Sequence, residues 1–113
     1  MHELAIVQNI IAIVNSESDK GGFERVTGIN LKIGEYSGIV PGCIEEFFPL
    51  AAKGSKAEGA EITMETVPAL FSCEDCGYEG DADRTAFCCP VCRGTSLKMI
   101  SGREFYVESL KVE

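Results

Sequence analysis

Five of the six cysteines crowd into residues 73–92, and four of them form two pairs. Cys73 and Cys76 make the first; Cys89 and Cys92 make the second, after twelve intervening residues. Each Cys-x-x-Cys pair turns two sulfurs toward one point, and two such knuckles close on one tetrahedral ion. Gly77 and Gly94 follow the pairs and Pro90 lies inside the second, residues that help a backbone bend toward its own sulfurs. Four thiolates occupy every position around zinc, so the site is expected to be structural and closed to substrate. Cys88 abuts Cys89 and competes with it as a ligand, but the Cys-Pro-x-Cys register favours Cys89. Cys43 stands apart, and its ordinary reading is a small buried hydrophobe. Neither Cys43 nor Cys88 receives a role.

A second group of donors lies at the start of the chain. His2 is the only histidine. The ordinary reading of a residue beside a terminus is that it does nothing. Its chemistry is nonetheless specific: the Met1 amine, the His2 amide nitrogen and the His2 Nδ1 can all reach one ion, closing adjacent chelate rings. An amine, a deprotonated amide and an imidazole favour square-planar Ni(II) or Cu(II), a geometry from which zinc gains nothing. The fourth position stays open, so such a site can exchange its metal. An open site beside a closed one points to delivery of one metal and structural use of another.

The elements that must hold these sites follow from apolar spacing. Hydrophobic residues make up 45% of the 113 and charged residues 25%, a folded composition whose length favours a single domain. Between residues 71 and 100 the only Ile, Leu or Val residues are Val91, Leu97 and Ile100. That stretch cannot build its own core and must be stapled. We therefore expect an α+β part from residues 1–70 and 101–113, interrupted by a small zinc-ribbon-like unit over 71–100.

Residues 4–18 read as a helix whose apolar face is Leu4, Val7, Ile10, Ile11 and Val14. Ile29, Leu31 and Ile33 alternate as a strand. Pro41 opens a second helix carrying Ile44, Phe47, Phe48 and Ala51, with a kink at Pro49 and a close near Gly54. Ile62 and Met64 face inward on a second strand. The last strand changes parity between Val107 and Leu110, which predicts a bulge near Ser109. A three-stranded sheet with two helices on one face is the simplest assembly.

A net charge of −8 argues against nucleic acid or an anionic membrane as partner. The apolar run over residues 4–14 is too short to span a bilayer and no Lys or Arg precedes it, so we expect a cytoplasmic protein with its N-terminus intact. The acidic residues around the knuckles read as a solvated face. No catalytic constellation and no phosphate-binding Gly-Lys-Ser/Thr loop is present, so any nucleotide hydrolysis belongs to a partner. Two rivals stand beside metal delivery. Cys73-x-x-Cys76-Gly77-Tyr78 with Cys89-Pro90-Val91-Cys92 resembles the knuckles of rubredoxin, an iron electron carrier; a zinc-ribbon regulatory or interaction module is the other. Disulfides do not suit a cytoplasmic chain.

Met1-His2-Glu3-Leu4 opening an apolar helix, with both cysteine pairs set before a final strand, resembles the HypA/HybF family over essentially the whole chain. The resemblance implies a non-enzymatic nickel metallochaperone for [NiFe]-hydrogenase maturation. It implies His2 as nickel ligand, Glu3 as its functional neighbour, and Cys73, Cys76, Cys89 and Cys92 as zinc ligands. It also implies a HypB-type GTPase and the hydrogenase large subunit as partners, with urease maturation served by some members. Some family members carry further histidines near the knuckles or at the nickel site; this chain has none beyond His2, so the fourth nickel donor is open.

Overall fold

The computed structural model describes residues 3–113. It is 54 Å long and 26 by 17 Å across, with a radius of gyration of 17.9 Å. A compact chain of this length would have a radius near 13 Å. The excess comes from two small sheets that do not share a core.

The first lobe begins with α1 (Glu3–Gly21), whose buried stripe is Glu3, Val7, Ile10, Ile11, Val14 and Ser18. The spacing is helical as expected, but the stripe is rotated by one residue at its start. Leu4 is 49% exposed, and Glu3 takes the core-facing position assigned to it. The helix also runs past residue 18 to Gly21, where the Gly22 N–H donates to the Ser18 carbonyl at 2.9 Å; the buried Ser18 hydroxyl donates to the Phe23 carbonyl at 2.7 Å and receives Lys56 Nζ at 2.6 Å.

Strand β1 (Val26–Gly34) follows, then α2 (Pro41–Ala51) and β2 (Glu61–Val67). β1 and β2 are parallel, which requires a crossover, and α2 supplies it. Pro41 stands at the first helical position, where its missing N–H costs nothing. α2 continues through Pro49 to Ala51 and closes on Ala52, before Gly54. Ile44 and Phe48 are buried, but Phe47 is exposed. The chain returns in β6 (Phe105–Val112), antiparallel to β1, giving the order β2-β1-β6. Asn30 pairs with Ser109 and Leu31 with Val107, so Glu108 is the extra residue of a bulge. The predicted change of parity is therefore real, one position from Ser109. It turns Phe105, Val107 and Leu110 all toward the core, whereas Val112 is exposed. The core also holds Ile29, Leu31, Ile33, Ile44 and Phe48. On the other face Asn30 Nδ2 donates to Ser109 Oγ at 2.7 Å, and Lys32 Nζ pairs with Glu65 at 2.7 Å.

Between β2 and β6 lies the second lobe, a sheet of order β4-β3-β5 built from β3 (Leu70–Cys73), β4 (Glu79–Gly80) and β5 (Leu97–Ser101). Its core is Ala69, Phe71 and Ala82, with Leu97 and Met99 against it. Phe87 meets Phe71 edge to face at 5.4 Å. These strands had no signature beyond the flanks of the cysteines.

The neck is tightly packed. A Cβ on Gly34 would overlap the Gly102 carbonyl, and Gly102 has φ 116 with Ala69 Cα 2.6 Å from where its own Cβ would stand. Glu35 joins the lobes, as its carboxylate accepts the Ala69 N–H at 2.8 Å and Arg84 Nη1 at 2.8 Å. Arg84 also donates from Nε to Asp81 at 2.8 Å and lies 5.8 Å from the Tyr36 ring. The guanidinium, first in effect, and the Ala69 N–H hold the Glu35 carboxyl down at about 2.

Candidate metal centre

The two knuckles are built alike. Cys73 at the end of β3 accepts the Gly77 N–H on its carbonyl and donates its own N–H to Tyr78. Cys89 repeats this with Arg93 and Gly94. The residue four after each leading cysteine is left-handed: Gly77 at φ 80 and Arg93 at φ 64. Gly94 therefore does not make the second turn, contrary to the expectation from sequence. Its missing side chain instead leaves room for Asp75 and for the Cys92 sulfur, which a Cβ would meet at 2.7 and 3.2 Å.

The turns bring the Sγ atoms of Cys73, Cys76, Cys89 and Cys92 within 4.8 Å of one another. Across the knuckles, Cys73 lies 3.6 Å from Cys92 and Cys76 lies 3.6 Å from Cys89. Zinc–sulfur bonds of about 2.3 Å place tetrahedral sulfurs about 3.8 Å apart, so the donor set fits such an ion. Backbone donors face the sulfurs. Val91 and Cys92 N–H approach Cys89 Sγ at 3.4 and 3.5 Å, and Gly94 N–H approaches Cys92 Sγ at 3.4 Å. Burial pushes the Cys89 thiol up, but the Cys92 and Val91 N–H groups, with the neighbouring Cys76 and Cys92 thiols, prevail and bring it down to about 7. Cys73 and Cys89 are buried, and Cys76 and Cys92 are exposed. Cys88 stays outside the cluster, its backbone bridged to Asp83. Asp83 accepts Arg93 Nη1 at 2.8 Å and the Thr85 N–H at 2.9 Å, and Arg93 foremost lowers its carboxyl to about 2. This pair holds the second knuckle against the intervening loop.

Met1 and His2 lie outside the described residues. Glu3 is described, and it is not a solvated helix-start residue. It is 8% exposed, and its Oε2 is buried with no hydrogen-bond partner among the described residues. Its neighbour is the half-buried Cys43 near the start of α2. Burial first, then the charge and hydrogen bonding of Glu3, push that thiol up. The sequence carries a signal for the burial, since positions 3, 7, 10 and 14 share one helical face. Nothing local announces Cys43 as its neighbour.

A family model described as hydrogenase/urease nickel incorporation, metallochaperone, matches residues 1–112. Among curated relatives, the hydrogenase maturation factor HypA of Caldanaerobacter subterraneus subsp. tengcongensis is 35% identical, with all of each chain covered. That of Trichodesmium erythraeum is 37% identical over 100% of this chain and 96% of its own. The solution structure of the Ni metallochaperone HypA from Helicobacter pylori superposes with a TM-score of 0.72 at 20% identity, over 99% of this chain and 97% of that one, a likeness of fold. The fold is thus a shared one, and the chain belongs to the HypA family of hydrogenase and urease nickel-incorporation proteins.

Proposed function

We propose that this chain carries one Ni(II) at its N-terminus, on Met1, His2 and the neighbourhood of Glu3, and passes it on by ligand exchange during hydrogenase maturation. The observation that carries the reading is the four-sulfur cluster itself. A cluster that already supplies four donors has no position for cargo, so a family member that moves nickel needs a second site. The only imidazole in the chain is at position 2. Zinc is the ion proposed for the cluster, and its part is to hold the second lobe in shape. The recipients are a HypB-type GTPase and the hydrogenase large subunit in the cytoplasm, with urease maturation as a related outlet. The chain performs no chemistry of its own. Family membership does not favour the iron-carrier reading.

Isothermal titration of untagged protein with Ni(II), with zinc measured on the same samples, tests the proposal. His2→Ala is expected to lose tight nickel binding while keeping its zinc and its thermal stability. Tight one-to-one nickel binding by His2→Ala would refute the N-terminal site.

A further inference from the structure

The helices do not cover the first sheet evenly. On β1 the inward side chains Ile29, Leu31 and Ile33 are buried. Their partners across the ladder, Leu110, Val107 and Phe105 on β6, face the same core but are only half-buried. Between β6 and α1 these side chains line two adjoining cavities of about 370 and 290 Å³, which share Ile13 and Val107. Ile13 on α1 is 40% exposed, and Val112 at the end of β6 is 51% exposed. β6 is also an edge strand, paired with β1 on one side. Its other side presents a row of backbone N–H and C=O groups with which a further strand can pair. A groove for side chains and an edge for main chain thus run along the same strand.

Charge selects the occupant. The two charged residues that line the groove, Glu17 and Glu108, are both acidic. Glu17 meets only the exposed Lys20, at 3.9 Å. Glu108 shares Lys32 with Glu65, which holds that ammonium at 2.7 Å against 3.5 Å for Glu108. The one lysine of β6, Lys111, is laid over Gly28 of β1, 3.2 Å from where a Cβ would stand there. A second copy of the chain would bring a like charge of −8 to this surface. The bulge at Glu108 also breaks the even edge that two β6 strands would need to pair along their length.

We propose that the groove takes an extended, basic segment of a partner protein, added to the sheet as a fourth strand beside β6. Main-chain hydrogen bonds to the β6 edge supply affinity, and alternate apolar side chains enter the groove against Ile13, Val107 and Leu110. Lys or Arg side chains flanking them meet Glu17 and Glu108. The surface involves neither metal, so it stands or falls apart from the nickel reading.

The probe is a synthetic peptide of about eight residues that alternates Val with Lys, set against the same peptide with Glu in place of Lys. Both are titrated into isotope-labelled, zinc-loaded, full-length protein, and backbone amide shifts and hydrogen exchange are read. The Val-Lys peptide is expected to shift and protect amides of β6 and to shift those of α1 around Ile13, leaving the opposite edge strand β2 unchanged. The Val-Glu peptide is expected to bind at least about tenfold more weakly. Ile13→Glu and Val112→Glu change exposed positions, so fold and zinc content should persist, with circular dichroism as the check. Both are expected to weaken the Val-Lys peptide at least about tenfold. Each adds negative charge, so that loss reports the apolar groove and not a lost attraction. Glu17→Lys is expected to weaken binding about threefold at low salt and less at high salt. The proposal is overturned by any of four results: no β6 shift at millimolar Val-Lys peptide, shifts centred on β2 or the second lobe, equal affinity for the two peptides, or full affinity in both Glu variants. If β6 amides shift with protein concentration alone and Ile13→Glu abolishes this, the occupant is a second copy and the proposal falls.

Discussion

Each lobe contains one three-stranded sheet, yet different forces hold the two. The first lobe buries twelve hydrophobic residues in one cluster, from Val7 to Ala57. The second buries three, Ala69, Phe71 and Ala82, two of them no larger than a methyl group. Burial of a Leu- or Ile-sized side chain contributes about 1.5–3 kcal/mol, so the second cluster cannot offset the chain entropy of the residues around it. Its missing stability must come from the cysteine cluster. One lobe is an apolar core; the other is a four-cysteine cluster that happens to have a sheet.

The largest test of this contrast removes the metal. Structural zinc contributes roughly 10–16 kcal/mol in zinc-finger peptides at neutral pH. Cys76→Ser is expected to release the ion and abolish hydrogen-exchange protection in β3, β4 and β5, while α1 and β1 stay protected. Loss of all cooperative structure would merge the two lobes into one folding unit. The converse substitution is Ile29→Ala, at a side chain with no exposure on the central strand. It should cost about 2–5 kcal/mol and lower the thermal midpoint, with zinc content unchanged in the folded protein. Zinc lost in proportion to stability would show that the cluster depends on the first core.

Protons sharpen the contrast between the two metals. At the proposed N-terminal site nickel would compete with protons for an imidazole and an amine, whose reference values are about 6.5 and 7.7–8.0. Nickel affinity is therefore expected to fall more than about a hundredfold from pH 8 to pH 6, before zinc leaves its thiolates. Titrations at several pH values, with zinc followed in parallel, check this; constant nickel affinity across that range contradicts nitrogen ligation.

The smallest expected effect lies at the neck. Arg84 and Glu35 are partly exposed, so their pair contributes little to overall stability. Its consequence is the angle between lobes. Arg84→Ala is expected to leave both sheets intact while residual dipolar couplings report a broader range of relative orientations. Glu35 titrates near 2 when folded, below its ordinary 4.5. The clasp's contribution is thus complete above about pH 4.5 and is lost as pH falls through 2. In Arg84→Ala the carboxyl carbon of Glu35 should titrate at higher pH than in wild type, because the largest cause of the depression is gone. An unchanged titration would assign the depression to the Ala69 N–H alone.

Some of this was written in short stretches of chain. The four sulfur ligands are legible because a knuckle is a local turn, and the two-residue gap within each pair is what the turn requires. The exclusion of Cys88 follows from the same register. The period of α1 and the parity change in β6 are legible for the same reason, since both are repeats along one element. Even there, the rotation that buries Glu3 and exposes Leu4 shows the limit. Periodicity defines a stripe, but the neighbouring helix decides where its edge falls.

The sequence by itself determined the two cysteine knuckles, the helix and strand periods and the poverty of the 71–100 stretch in aliphatic side chains. Each is a matter of residue type and near-neighbour spacing, so no knowledge of the rest of the chain is needed. Only the tertiary structure decided that Glu35, Ala69 and Arg84 meet at the neck, that Arg93 rather than Gly94 turns left-handed, and that Cys43 lies against Glu3. These residues come from separate elements or from a turn whose strain the surrounding fold sustains. Their meeting depends on how β6 closes beside β1 and how α2 crosses to β2, and chain closure over tens of residues leaves no pattern in any short window.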